Sequence, residues 1–104
     1  MTNSTENFLQ TLESTIADRL ENPSQKSYTA NLAASGTKRV AQKVGEEAVE
    51  LALASVAGDR AEVLNEAADL VYHLLVLLKV QDLSLEDVKN VLSERHASAD
   101  RLDQ

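Results

Sequence analysis

Apolar residues recur at three- and four-residue intervals along almost the whole chain, and the breaks between these runs fall at a few turn-forming residues. The pattern predicts five helices. The first runs from about Thr5 to Glu21, with Phe8, Leu9, Leu12, Ile16 and Leu20 at helical intervals and Asn3 and Glu6 spaced as a capping box. Asn22-Pro23-Ser24 stops it. A short second helix, about Ser27 to Ser35, carries Tyr28 and Leu32 one turn apart and is expected to end at Gly36 in the left-handed position. The third spans about Thr37 to Ala57, with Thr37 as its cap and Gly58 as its terminator. Gly45 lies inside it at a cost of roughly 1 kcal/mol relative to Ala, which predicts close approach of a neighbouring helix or of a ligand.

Asp59 and Glu62 have capping-box spacing and open a fourth helix that reaches about Val80. Its apolar face is Val63, Leu64, Ala67, Leu70, Val71, Leu74, Leu75 and Leu78, which makes it the core helix. After a short turn at Asp82-Leu83, Ser84 with Asp87 starts a fifth helix, whose Leu85, Val88, Val91 and Leu92 are expected on its buried side through about His96. Residues of about 1–4 and 97–104 are expected to fray. Strand signals, internal repeats, low-complexity tracts and linkers are missing. The predicted fold class is all-α, a single domain over 1–104 built as an antiparallel helical bundle.

Composition sharpens this picture. Only Phe8, Tyr28 and Tyr72 are aromatic, so the core must be made of Leu, Val and Ala. A chain of 104 residues buries only about two-thirds of its unfolded surface. Both features predict a core completed by oligomerisation, a homodimer at least. The chain has no cysteine, which excludes disulfides, thiolate metal sites and Cys nucleophiles and leaves oxygen and imidazole as metal ligands. The first residues have neither a basic region nor a long apolar run, and no apolar stretch reaches membrane-spanning length. A soluble, cytoplasmic protein is expected. The net charge of −7 argues against nucleic acid or anionic lipid as a partner.

The acids are not scattered. Glu46-Glu47-x-x-Glu50 on the third helix is followed by Glu66-x-x-Asp69 on the fourth. At about 100° per residue, Arg39, Lys43, Glu46, Glu47 and Glu50 share one face of the third helix, and Glu66, Asp69 and His73 border the apolar face of the fourth. The short turn at Gly58-Asp59 makes the two helices antiparallel neighbours. Glu50 and Glu66 then lie about eight residues from the turn on either side, level along the axis, and Glu47 and Asp69 are level in the same way. Converging carboxylates repel and raise one another's pKa unless a cation neutralises them. Hard divalent ions, Mg²⁺ or Mn²⁺ as its substitute, prefer oxygen ligands and commonly bind carboxylates together with substrate phosphate. The expected chemistry is attack of water on a phosphate ester or anhydride. Lys43 and Arg39, one and two turns before the acids, are placed to hold phosphate oxygens. The plainer account is a solvated face laced with i, i+4 pairs, and it explains the third helix alone better than it explains both helices together. His73, one turn beyond Asp69, is placed either to touch substrate or a carboxylate, or to pack as an ordinary helix residue.

This pair of motifs resembles the metal motif of the all-α, MazG-like nucleotide pyrophosphohydrolases. Within that group, Ser27-Tyr28-Thr29, the run Gly36 to Glu47 and the run Asp69 to Val76 resemble the phosphoribosyl-ATP pyrophosphohydrolase family of histidine biosynthesis. The resemblance covers about Ser27 to His96. It implies hydrolysis of 1-(5-phosphoribosyl)-ATP to 1-(5-phosphoribosyl)-AMP and pyrophosphate with Mg²⁺, in the cytoplasm, by dimers or higher assemblies. Glu46, Glu47, Glu50, Glu66 and Asp69 carry over as metal ligands, with Glu47, Glu50 and Lys43 as catalytic residues. Ser27, Tyr28, Thr29, Gly36, Lys38, Arg39, Lys43 and His73 carry over to the substrate-binding region. In some organisms this activity is fused to a zinc-dependent phosphoribosyl-AMP cyclohydrolase, and the lack of cysteine here implies that a separate protein does that next step. Two competing functions are a related enzyme that removes noncanonical nucleoside triphosphates, which predicts fast turnover of simple dNTPs, and an inert acidic module that binds a partner protein, which predicts carboxylates pointing apart.

Overall fold

A computed structural model describes residues 4–98, which form five helices and no strand. They are α1 (Ser4–Glu21), α2 (Tyr28–Ala34), α3 (Thr37–Ala57), α4 (Arg60–Val80) and α5 (Leu85–Ala97). The predicted capping box at Asn3 and Glu6, and most of the predicted frayed ends, lie outside the described residues and side chains. Ser4 and Ala97, placed in those ends from the sequence, are helical.

Helix boundaries follow local chemistry. Ser27 caps α2 through its hydroxyl, which accepts the Ala30 N–H at 3.1 Å. Asp59 caps α4 by accepting the Glu62 N–H at 3.1 Å. Ser84 and Asp87 form the complete reciprocal box at α5. Gly58 closes α3 in the left-handed conformation, φ 81°, which strains the backbone of most residues that carry a side chain. The end of α4 needs a left-handed residue too and has Asp82 at φ 60°; its N–H meets Lys79 O at 3.0 Å while Leu83 N–H reaches back to Leu78 O at 2.8 Å. Aspartate tolerates that conformation better than most side chains.

Gly36 departs from expectation. It ends no helix in the left-handed position; it sits at φ 102°, ψ 159° as the cap residue of α3, a region open essentially to glycine alone. Thr37, expected as the cap, is instead the first helical residue, and α3 starts without a side-chain cap. The chain can therefore turn from α2 into α3 within two residues.

The core occupies one end of the molecule. Ile16 from α1, Leu32 from α2, Val40 from α3 and Leu75 and Val76 from α4 are buried together, with Leu12, Leu20, Tyr72, Leu77, Val80 and Leu85 packed around them. Glu13 draws α5 in by accepting the Leu85 N–H at 2.7 Å. Beyond this point α3 and α4 continue as an antiparallel hairpin that the other helices do not cover. The radius of gyration, 15.6 Å, exceeds the roughly 13 Å typical of a compact domain of this length.

The arrangement departs from expectation at three places. Leu64 and Val71, expected on the apolar core face of α4, are exposed. Val91 and Leu92 on α5, expected to be buried, are also exposed, because α5 rests on the core mainly through its first turn. A Cβ at Gly45 would meet nothing within 4 Å, so no neighbouring helix of the same chain explains that glycine.

Candidate active site

Along α3, Val44, Glu47, Leu51 and Ala54 are buried or half-buried, spaced by three and four residues. Along α4 the matching stripe is Val63, Glu66, Ala67, Leu70 and Leu74. Two glutamates therefore occupy positions in an otherwise apolar stripe, Glu47 being only 7% exposed. Burying two acids opposite each other opposes folding unless something compensates.

Carboxylate oxygens from Glu47, Glu66 and Asp69 all lie within 4.8 Å of one another. Glu66 shows the consequence: its pKa is raised, first by loss of solvent around it, then by the charges of Glu50 and Glu47, by a hydrogen bond to Glu47 that favours its protonated form, and by the charge of Asp69. Its buried Oε1 has no hydrogen-bond partner.

The five acids singled out in the sequence thus separate. Glu47, Glu66 and Asp69 converge, and Glu50 stands close enough to raise the Glu66 pKa. Glu46 turns aside, accepting the Gln42 amide at 3.1 Å and meeting Lys43 Nζ at 3.7 Å. Lys43 bridges to the centre, its Nζ also 3.6 Å from the buried Glu47. A cavity of about 340 Å³ adjoins the acids and is lined by Glu50, Leu53, Ala54, Ala57, Asp59, Glu62 and Glu66. Asp59 and Glu62 were not singled out as site residues, although the helical wheel sets both on the Glu66 side of α4.

The residues assigned to substrate binding divide as well. Lys38 and Arg39 are exposed on the first turn of α3. Ser27 and Thr29 are buried, Ser27 as the α2 cap and Thr29 in a hydrogen bond with the Tyr72 hydroxyl. Tyr28 is 54% exposed, and its hydroxyl lies 2.8 Å from His73 Nε2. His73 is 6% exposed with both ring nitrogens engaged, Nδ1 being 2.7 Å from the Asp69 carbonyl oxygen. Direct contact between His73 and substrate, one of the placements left open by the sequence, would require breaking one of these bonds. The Thr29–Tyr72 pair was not foreseen, since 43 residues separate the partners.

The residues present fit a hard cation. Three carboxylates supply only oxygen donors, and the unpartnered Glu66 Oε1 lacks a positive or hydrogen-bonding neighbour that an ion would provide. An all-α bundle with carboxylates converging across one helical hairpin is a helical protein with an oxygen-donor cluster able to hold a cation. Comparison with known proteins gives the family: residues 9–96 match phosphoribosyl-ATP pyrophosphohydrolase, and the chain belongs to that family of hydrolases.

Similar proteins include the histidine biosynthesis bifunctional protein HisIE of Photobacterium profundum, 57% identical over 89 residues, which are 86% of this chain and 43% of the relative. The HisIE of Vibrio cholerae is likewise 57% identical over 89 residues, covering 86% of this chain and 42% of the relative. That of Salmonella typhimurium is 58% identical over 89 residues, with shares of 86% and 44%. The chain spans less than half the length of these curated relatives.

Proposed function

We propose that the chain hydrolyses 1-(5-phosphoribosyl)-ATP to 1-(5-phosphoribosyl)-AMP and pyrophosphate, the second step of histidine biosynthesis, with Mg²⁺ at Glu47, Glu66 and Asp69 and with Mn²⁺ as a substitute. The observation that carries this reading is the convergence of those three carboxylates around an unpartnered Glu66 oxygen in a member of the phosphoribosyl-ATP pyrophosphohydrolase family. Glu50 serves as a further acid of the centre, facing the adjoining cavity, while Glu46, turned towards Gln42 and Lys43, stands beside it. When bound, the ion lowers the pKa of water and offsets charge on phosphoryl oxygens.

The chain's own residues do the rest. Lys43 is ion-paired with Glu47 and is the cation placed to receive phosphate oxygens, with Lys38 and Arg39 one or more turns away. Glu47 and Glu50 orient and deprotonate water. Tyr28, Gly36 and the segment Ser27–Thr29 border the substrate. The apolar surface on the hairpin supports a homodimer or larger assembly. Among the described residues no helix is long and apolar enough to cross a membrane, and a cytoplasmic setting fits the proposed pathway.

Purified protein incubated with phosphoribosyl-ATP and Mg²⁺ should release pyrophosphate, and a panel of simple dNTPs should be turned over far more slowly. A folded protein that releases none would refute the assignment.

A further inference from the structure

His73 is an unusual resident of a small apolar core. It is 6% exposed, and its ring meets Tyr28 and Tyr72 edge-on at centroid distances of 5.8 and 5.7 Å. Its hydrogen bonds fix the tautomer. The Asp69 carbonyl can only accept, so Nδ1 carries the hydrogen; in the neutral ring Nε2 then accepts, and the Tyr28 hydroxyl donates. Tyr72 in turn pairs with Thr29. Two consecutive residues of α2 are thereby tied to two consecutive residues of α4.

This clasp ends on the backbone of a carboxylate that needs it. Glu47 is buried and paired with Lys43, whereas Asp69 lies on the exposed edge of the centre. The Asp69 carbonyl already accepts the His73 N–H within the helix, and the ring adds a second bond to the same oxygen. The peptide plane that follows Asp69 is restrained twice, and with it the Cα–Cβ direction from which the Asp69 carboxylate projects. A leucine at position 73 would fill the space without removing polar atoms from water, so packing alone does not call for histidine.

We propose that His73 is a positioning residue for the carboxylate centre, holding the Asp69 turn through Nδ1 and anchoring α2 to that turn through Nε2. The proposal rests on Glu47, Glu66 and Asp69 acting as a cation site. Groups that orient metal ligands commonly change metal affinity or activity by about 10- to 100-fold when removed.

The test uses the full chain, Mn²⁺ alone as probe, electron paramagnetic resonance for affinity and circular dichroism for folding. His73→Gln, whose amide reaches towards the Nε2 position, should weaken Mn²⁺ binding about tenfold. His73→Asn, whose amide lies near the Nδ1 position, should stay within about threefold of wild type. Tyr28→Phe should leave Mn²⁺ affinity near wild type while raising KM for phosphoribosyl-ATP more than it lowers kcat. A folded His73→Gln protein with Mn²⁺ affinity within about twofold of wild type would overturn the proposal. Should that variant not fold, His73→Leu takes its place: a tenfold loss of Mn²⁺ affinity supports the role, and affinity within about twofold of wild type overturns it. Wild-type protein that takes up no Mn²⁺ sinks both the cation site and the proposal. If it binds Mn²⁺ but does not cleave phosphoribosyl-ATP, only the reaction is wrong, and the variants' affinities still judge His73.

Discussion

Glu47 and Glu66 meet across the α3–α4 hairpin, and among the described residues Lys43 pairs with Glu47 but no ammonium pairs with Glu66. Glu66 is left with a raised pKa and a buried oxygen that nothing satisfies. The hairpin therefore folds against local electrostatic strain, and relief of that strain is measurable.

Its pH dependence has a defined sign. In the window between the ordinary carboxyl value of 4.5 and the raised value in the folded chain, Glu66 is protonated when folded and ionised when unfolded. The folded state binds more protons there, so this group's contribution to stability falls as pH rises through the window. Without metal, the melting temperature of wild type relative to Glu66→Gln should rise as pH is lowered from neutral towards the ordinary carboxyl value. Added Mn²⁺ should stabilise wild type at neutral pH and leave the Gln variant much less affected. A melting difference that does not change with pH would contradict the assigned shift.

Glu47→Gln keeps the shape of a buried side chain and removes its charge. Lys43 then loses its buried partner and Glu66 loses a repelling neighbour. Activity should fall by about 10²-fold or more, the scale expected when one preorganised electrostatic group is deleted. Thermal stability without metal should be equal or higher. Pyrophosphate release and melting curves on the same preparation separate the two effects, and a variant that is inactive only because it unfolds would remove the reason to place Glu47 at the centre.

Much of this centre was legible because helices convert sequence spacing into geometry. Gly58 and Asp59 announced the turn, and equal spacing on either side of it brought Glu47 and Asp69 to one level. Equal height is not equal direction, however. Glu46 shares the face but bends back to Gln42 and Lys43, a choice that side-chain hydrogen bonding makes and periodicity does not encode. The apolar face read for α4 held only in part, since Val76 outside it is fully buried while Leu64 and Val71 within it are exposed, and which positions are covered depends on where α1, α2 and α5 lie. Leu75 is buried and Leu64 is bare for that reason. The clasp between Thr29 and Tyr72 depends on tertiary packing, and nothing local announces it.

That clasp makes a stability prediction. Thr29 is 2% exposed, and its hydroxyl is paired with Tyr72. Tyr72→Phe leaves the Thr29 hydroxyl buried without its partner and should cost about 1–3 kcal/mol in denaturant unfolding. Thr29→Val should cost a similar amount, while the double variant should lose less than the sum of the two, because neither polar group is then stranded. Additive losses would mean that the two hydroxyls act independently.

The bare part of the hairpin bears on assembly. Val49, Leu53 and Val56 are spaced by four and three residues on α3 and are 59%, 64% and 89% exposed, and Leu64 on α4 is 70% exposed. Isolated apolar residues on a surface need no explanation, but several on one extended hairpin, in a chain with a core confined to its other end, leave a surface suited to a second copy. If copies pair there, light scattering should give at least twice the chain's mass, and Val56→Glu should shift the protein towards monomer because it places a charge where water is to be excluded. Val56 is not among the residues lining the acidic cavity. Loss of activity in a monomeric Val56→Glu protein with intact Mn²⁺ affinity would therefore mean that the second copy completes the substrate site. An unchanged mass would place the pairing surface elsewhere or exclude pairing.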